Sequence, residues 1–154
     1  MTTSSAVTPD SIVLAARSYL GTPFRHQGRL KRVGVDCVGL LVGVARELGI
    51  WGDSIDHTAY RRREDGTILM EMLETHLVIK SLDDPLRPGD ILAMRHSVPQ
   101  HVAIVSEAFP NGEFQIIHAL DSGVVEHRLS TRWRRKIVGV FEFPGVAYDR
   151  EPGA

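Results

Sequence analysis

The chain has one cysteine in 154 residues, so it closes no internal disulfide and must hold together by its core. Neither charge sign dominates: the net charge is -1 and the pI near 6.6, which argues against a dedicated binder of nucleic acid or of anionic membranes. No apolar run approaches the ~20 residues of a transmembrane helix. Met1-Thr2-Thr3-Ser4-Ser5-Ala6 lacks the basic and apolar regions of a secretory signal, so synthesis in the cytoplasm without a leader is expected. Internal repeats, long linkers and close-spaced ligand pairs such as His-x-x-x-His or Cys-x-x-Cys are also missing. No metal or other cofactor is therefore called for. What remains is about one domain, long enough to bury roughly 70% of its unfolded surface.

The single cysteine is informative by its position. Cys37 follows Asp36, a good N-cap, and Val38, Leu41, Val44, Ala45 and Leu48 then recur at helical spacing up to Gly49. Cys37 thus falls in the first turn of a helix. There the unpaired backbone N–H groups and the positive end of the dipole favour thiolate over thiol, and a lowered pKa is expected.

Two histidines stand in strand-like runs downstream, His101 before Val102-Ala103-Ile104-Val105 and His118 after Gln115-Ile116-Ile117. Between the runs, Phe109-Pro110-Asn111-Gly112-Glu113 carries an Asn-Gly hairpin signal. Folding back about this turn brings His101 within a residue or two of the position opposite His118, close enough for the imidazoles to touch. A helix-start cysteine, a histidine to take its proton and a third polar group to orient that histidine compose a thiol-hydrolase triad.

The remaining pattern divides the chain into a helical half and a β half. Thr8-Pro9-Asp10 opens a helix that Gly21 ends, residues 24–35 read as a loop reaching the site, and Thr67 to about His76 reads as a further helix. Leu86-Arg87-Pro88-Gly89-Asp90 is turn chemistry. Strands are expected at Ile91–Met94, Val102–Ser106, Phe114–Ala119, Val124–Leu129 and Ile137–Phe143, with one helical turn across Ser130–Arg135. The basic runs Arg61-Arg62-Arg63 and Arg132-Trp133-Arg134-Arg135-Lys136 read as a solvated face or a helix end, with contact to an anionic polymer or a neighbouring subunit as the other reading. His57, His76, His96 and His127 read as surface or packing residues, and His26 as a residue lining the cleft.

In order along the chain, Ala16-Arg17-Ser18-Tyr19-Leu20-Gly21-Thr22-Pro23-Phe24, Asp36-Cys37-Val38-Gly39, Arg87-Pro88-Gly89-Asp90-Ile91, His101-Val102-Ala103-Ile104-Val105 and Ile117-His118-Ala119 resemble the NlpC-type cysteine peptidases. More narrowly, they are similar to the compact branch found in phage tails and in phage-like particles of the gene transfer agent type. The resemblance spans about Ser11 to Phe143. It implies a papain-like α+β fold, with N-terminal helices packed on a mostly antiparallel sheet of about five strands. A single peptidase domain is expected over residues 8–146, flanked by flexible segments 1–7 and 147–154.

The resemblance implies Cys37 as nucleophile, His101 as general base and acid, and His118 as the orienting residue. It also implies a second role for Asp36, meeting the free amino group of the substrate. The implied substrate is the peptidoglycan stem peptide, commonly cut between γ-linked D-glutamate and diaminopimelate. Implied partners are tail, baseplate or hub proteins that carry the enzyme to the wall of a target cell. Two positions depart from the family pattern: Val38 replaces the usual Ser at the cleft border, and Phe24 replaces the usual Tyr. Oxyanion stabilisation is then expected from the Cys37 backbone N–H with help from His26 or Gln27. Two alternatives stay open, a weakly active or inactive structural tail subunit that keeps the fold, and a zinc hydrolase with Cys37, His101 and His118 as ligands.

Overall fold

The computed structural model describes residues 6–56, 67–95 and 100–148. Helix α1 (Pro9–Arg17) starts at an N-cap Thr8 whose hydroxyl accepts from the Ser11 N–H while Ser11 reaches back to the Thr8 N–H. Gly21, at φ 84°, follows the turns that end it. The segment read as a loop contains a short hairpin, β1 (Arg29–Leu30) against β2 (Gly34–Val35), and Phe24 bridges to Val35. Helix α2 (Cys37–Glu47) follows at once and ends before Gly49, at φ 70°. Its apolar residues are buried almost all round, from Val38 through Ala45.

Helix α3 (Thr67–His76) leads into β3 (Val78–Lys80), an edge strand that the sequence reading did not anticipate. Then come β4 (Ile91–Arg95), β5 (Gln100–Ala108), β6 (Phe114–Leu120), β7 (Gly123–Arg128), the one-turn helix α4 (Thr131–Arg134) and β8 (Ile137–Glu142). Six strands form one antiparallel sheet in the order β3-β8-β4-β5-β6-β7. The α+β class is as expected, with six strands in place of about five.

Both faces of this sheet are covered, which explains why β4 reads as an unbroken apolar run. On one face Ile91, Ala93, Val102, Ile104, Ile117, Ala119 and Phe141 pack with α1, α2 and α3. On the other, Leu92, Met94, Ala103, Val105, Ile116 and Val140 pack with Leu129 and, at its border, Trp133 of α4. Close to the chain ends, the Ala147 N–H donates to the Val7 carbonyl (2.8 Å), and the Arg87 guanidinium lies 4.4 Å from the Tyr148 ring centre.

Candidate active site

Three elements converge where α2 begins. Asp36 is the N-cap: its Oδ1 accepts from the Gly39 N–H (2.8 Å) and the Arg29 Nη1 (3.0 Å), and its Oδ2 from the Gln27 N–H (2.7 Å). One carboxylate, only 4% exposed, therefore fixes both the helix start and the loop that precedes it. Arg29 in turn bonds Asp56, which also meets Arg46. Gly39 is needed for this closeness, since a Cβ there would collide with the Gly28 carbonyl oxygen. Gln27 sits at φ 58°, a conformation uncommon for a residue with a side chain.

Cys37 is the first residue of α2 and keeps part of its surface open. The backbone N–H groups of Val102 and Val38 lie near enough to its sulfur to favour the charged form. The Val102 contact seats the thiol on β5 one residue from His101. The Val38 side chain is buried in the helical core, so its contribution to the site is its N–H. Phe24 and Cys37 both pack against that core from its edge. His26 and Gln27 are half-buried in the loop pinned by Asp36. Because the Gln27 N–H is committed to Asp36, an oxyanion role for this residue would fall to its side-chain amide.

The helix start does not lower the thiol pKa as expected. Withdrawal from water pushes the Cys37 thiol up to about 12, and the adjacent Asp36 carboxylate adds to the rise. The Val102 and Val38 N–H groups and the Arg29 guanidinium pull the other way without balancing it. Helix position alone omitted two facts: the sulfur is largely withdrawn from water, and the cap that makes the helix start also sets a negative charge beside it. Such a thiol needs a base to take its proton.

The β half supplies that base. In the β5–β6 register Ile104 faces Ile117, which by extension sets Ala103 opposite His118 and His101 one diagonal away. The hairpin that sets this register is the expected one, with Gly112 at φ 83° and its N–H on the Phe109 carbonyl. His101 Nε2 and His118 Nδ1 lie 2.8 Å apart, and both rings are buried.

His127, read as a surface or packing residue, is half-buried and packs at the end of this pair: its Nε2 is 2.7 Å from His118 Nε2, and its Nδ1 is 2.8 Å from the Arg128 carbonyl oxygen. A tight turn at Asp121-Ser122 pairs His118 with Val125, which leaves His127 diagonal to His118. The Trp133 ring lies edge-on to His118, with centroids 4.8 Å apart, and is 6.2 Å from His101 and 5.9 Å from His127. The second basic run is thus a helix end whose tryptophan turns toward the imidazoles while Arg132, Arg134 and Arg135 stay exposed.

His76 packs on Trp51 as a structural residue. His57, His96 and Arg61-Arg62-Arg63 lie outside the described residues. Among the described residues no three His, Cys, Asp or Glu side chains form a metal-holding group. Both ring nitrogens of His118 face other imidazoles, which leaves it no lone pair to direct at a zinc ion shared with Cys37.

A model of the NlpC/P60 family matches residues 21–142, a span that includes Cys37, His101, His118 and His127. Among solved structures, a lipoprotein-like NLP/P60-family protein from Staphylococcus aureus matches with a TM-score of 0.59 at 21% identity, covering 92% of this chain and 45% of that one. The NlpC/p60 domain of the peptidoglycan hydrolase SagA matches with a TM-score of 0.58 at 23% identity, covering 89% of this chain and 100% of that domain. The chain therefore spans less than half of the staphylococcal protein and the whole of the SagA domain; at these identities the likeness is one of fold. No curated protein matches the chain.

Proposed function

Because the chain belongs to the NlpC/P60 family, we propose that it is a cysteine peptidase acting on the peptide stems of peptidoglycan, as a hydrolase of the kind named for the SagA domain. The observation that carries this reading is the buried His101–His118 pair, 2.8 Å apart, on the strands beside the helix that Cys37 opens. In the reaction, His101 takes the Cys37 proton as the sulfur attacks the scissile carbonyl carbon. The tetrahedral oxyanion is met by the Cys37 N–H, one of the helix-start donors that no helical carbonyl uses. His101 then returns the proton to the departing amine, leaving a thioester on Cys37. Water, deprotonated by the same ring, attacks the thioester; the carboxylate leaves and the thiol is restored.

The finer reading rests on the sequence motifs. The bond is that between γ-D-glutamate and diaminopimelate, and the enzyme reaches the wall of a target cell in a phage or phage-like tail, docked on hub or baseplate proteins. Among the described residues no helix is long and apolar enough to cross a membrane.

The test is a digest of purified peptidoglycan and defined muropeptides with wild type and Cys37→Ala, read by mass spectrometry. New termini that appear only with Cys37 are expected, and they identify the bond. Silence from folded wild type, with tail subunits also supplied, would overturn the peptidase reading in favour of a structural subunit.

A further inference from the structure

The three imidazoles form a chain with a direction, and one backbone oxygen sets it. A carbonyl oxygen only accepts, so the 2.8 Å contact between His127 Nδ1 and the Arg128 carbonyl requires the proton on Nδ1. Neutral His127 then has a bare Nε2, which at 2.7 Å must accept the Nε2–H of His118. His118 in turn has a bare Nδ1, which at 2.8 Å must accept the Nε2–H of His101. The lone pair of His101 is thereby placed on Nδ1.

We infer that His127 is a positioning residue of this site and that the Arg128 carbonyl, acting through it, holds His118 and His101 in the tautomers that make His101 Nδ1 the proton acceptor for Cys37. Without that terminal acceptor, His118 can donate from Nδ1 instead. His101 would then have to accept at Nε2 and carry its own proton on Nδ1, where it takes none from sulfur. The same direction serves before and after proton transfer: when His101 gains a proton on Nδ1 its Nε2–H still points to His118, and no other proton moves. Trp133 packs near all three rings and limits their rotation.

This inference rests on the peptidase reading for its consequence but not for its test. In the 15N spectrum of histidine-labelled protein, His127 is expected as the Nδ1–H tautomer and His101 and His118 as Nε2–H tautomers. His127→Phe removes both hydrogen bonds and is expected to lower iodoacetamide labelling of Cys37, and kcat on muropeptides, by about 10- to 100-fold with KM little changed. His127→Gln can accept with its oxygen and donate with its nitrogen, and is expected to stay within about threefold of wild type.

Reversed tautomers in wild type, or equal losses in Phe and Gln variants of unchanged unfolding midpoint, would overturn the inference. Should His127→Phe fail to fold, the wild-type spectrum and the Gln variant still decide it. Fast Cys37 labelling with the expected tautomers but no muropeptide cleavage would sink the peptidase reading alone. Cleavage with reversed tautomers would sink the relay alone.

Discussion

At the scale of single residues, the thiol and its base are opposed in a way that helix position did not reveal. Burial and Asp36 hold the Cys37 proton on, up to about 12, so reactivity near neutrality depends on His101. The sign follows: with no base, the thiolate fraction grows about tenfold for each pH unit up to the thiol pKa. In His101→Ala, iodoacetamide labelling of Cys37 is accordingly expected to be very slow at pH 7 and to climb steeply above pH 9, while wild type labels readily at neutral pH. A variant that labels as fast as wild type at pH 7 would show that the thiol is ionised without the base. Cys37, His101 and His118 were legible because each stands in a distinctive local pattern: a capped helix start and two strands about an Asn-Gly turn. His127 was not, because its chemistry arises from strand register, and nothing next to it in the sequence marks it.

At the scale of elements, α2 and the loop before it are a single unit. Gly39 lets the Gly28 carbonyl approach the first turn of α2, where Asp36 pins Gln27 and Arg29. Gly39→Ala must displace backbone on one side or the other, at a cost of about 1–3 kcal/mol, and shifts the loop that carries His26 and Gln27. The expected outcome is a folded protein with a lowered urea midpoint and a larger loss of muropeptide cleavage than its stability explains; unchanged activity would mean that the loop plays no part in the site. Helices α1, α2 and α3 were readable from caps and 3.6-residue periodicity. The hairpin β1–β2 and the edge strand β3 were not, since elements of two or three residues carry no period and are defined by partners distant in sequence.

For the molecule as a whole, the two-faced sheet is closed at the β3 edge by a buried ion pair. Lys80 Nζ lies 2.9 Å from Asp90 Oδ2, with side chains 6% and 0% exposed, and Asp90 also accepts from the Arg87 N–H that shapes the turn into β4. Burial still raises the Asp90 pKa against the pull of Lys80. Because the folded value lies above the unfolded one, this carboxyl favours the folded state least once pH exceeds both, and its penalty fades on acidification. Lys80→Ala removes the compensating charge and is expected to cost about 3–5 kcal/mol at pH 7. Urea unfolding at pH 7 and near pH 4 checks this: the difference from wild type should shrink at the lower pH, and a difference independent of pH would mean that packing of the lysine stem accounts for it.

The Trp133 ring, 6.2 Å from the His101 ring that takes the proton, has a practical side. An indole beside an imidazole loses emission when the imidazole becomes charged, so the ring that shields the histidines also reports on them. The fluorescence of this tryptophan should dim as the proton leaves Cys37 and recover as the amine departs, giving an optical clock for acylation that needs no label and no chromogenic substrate.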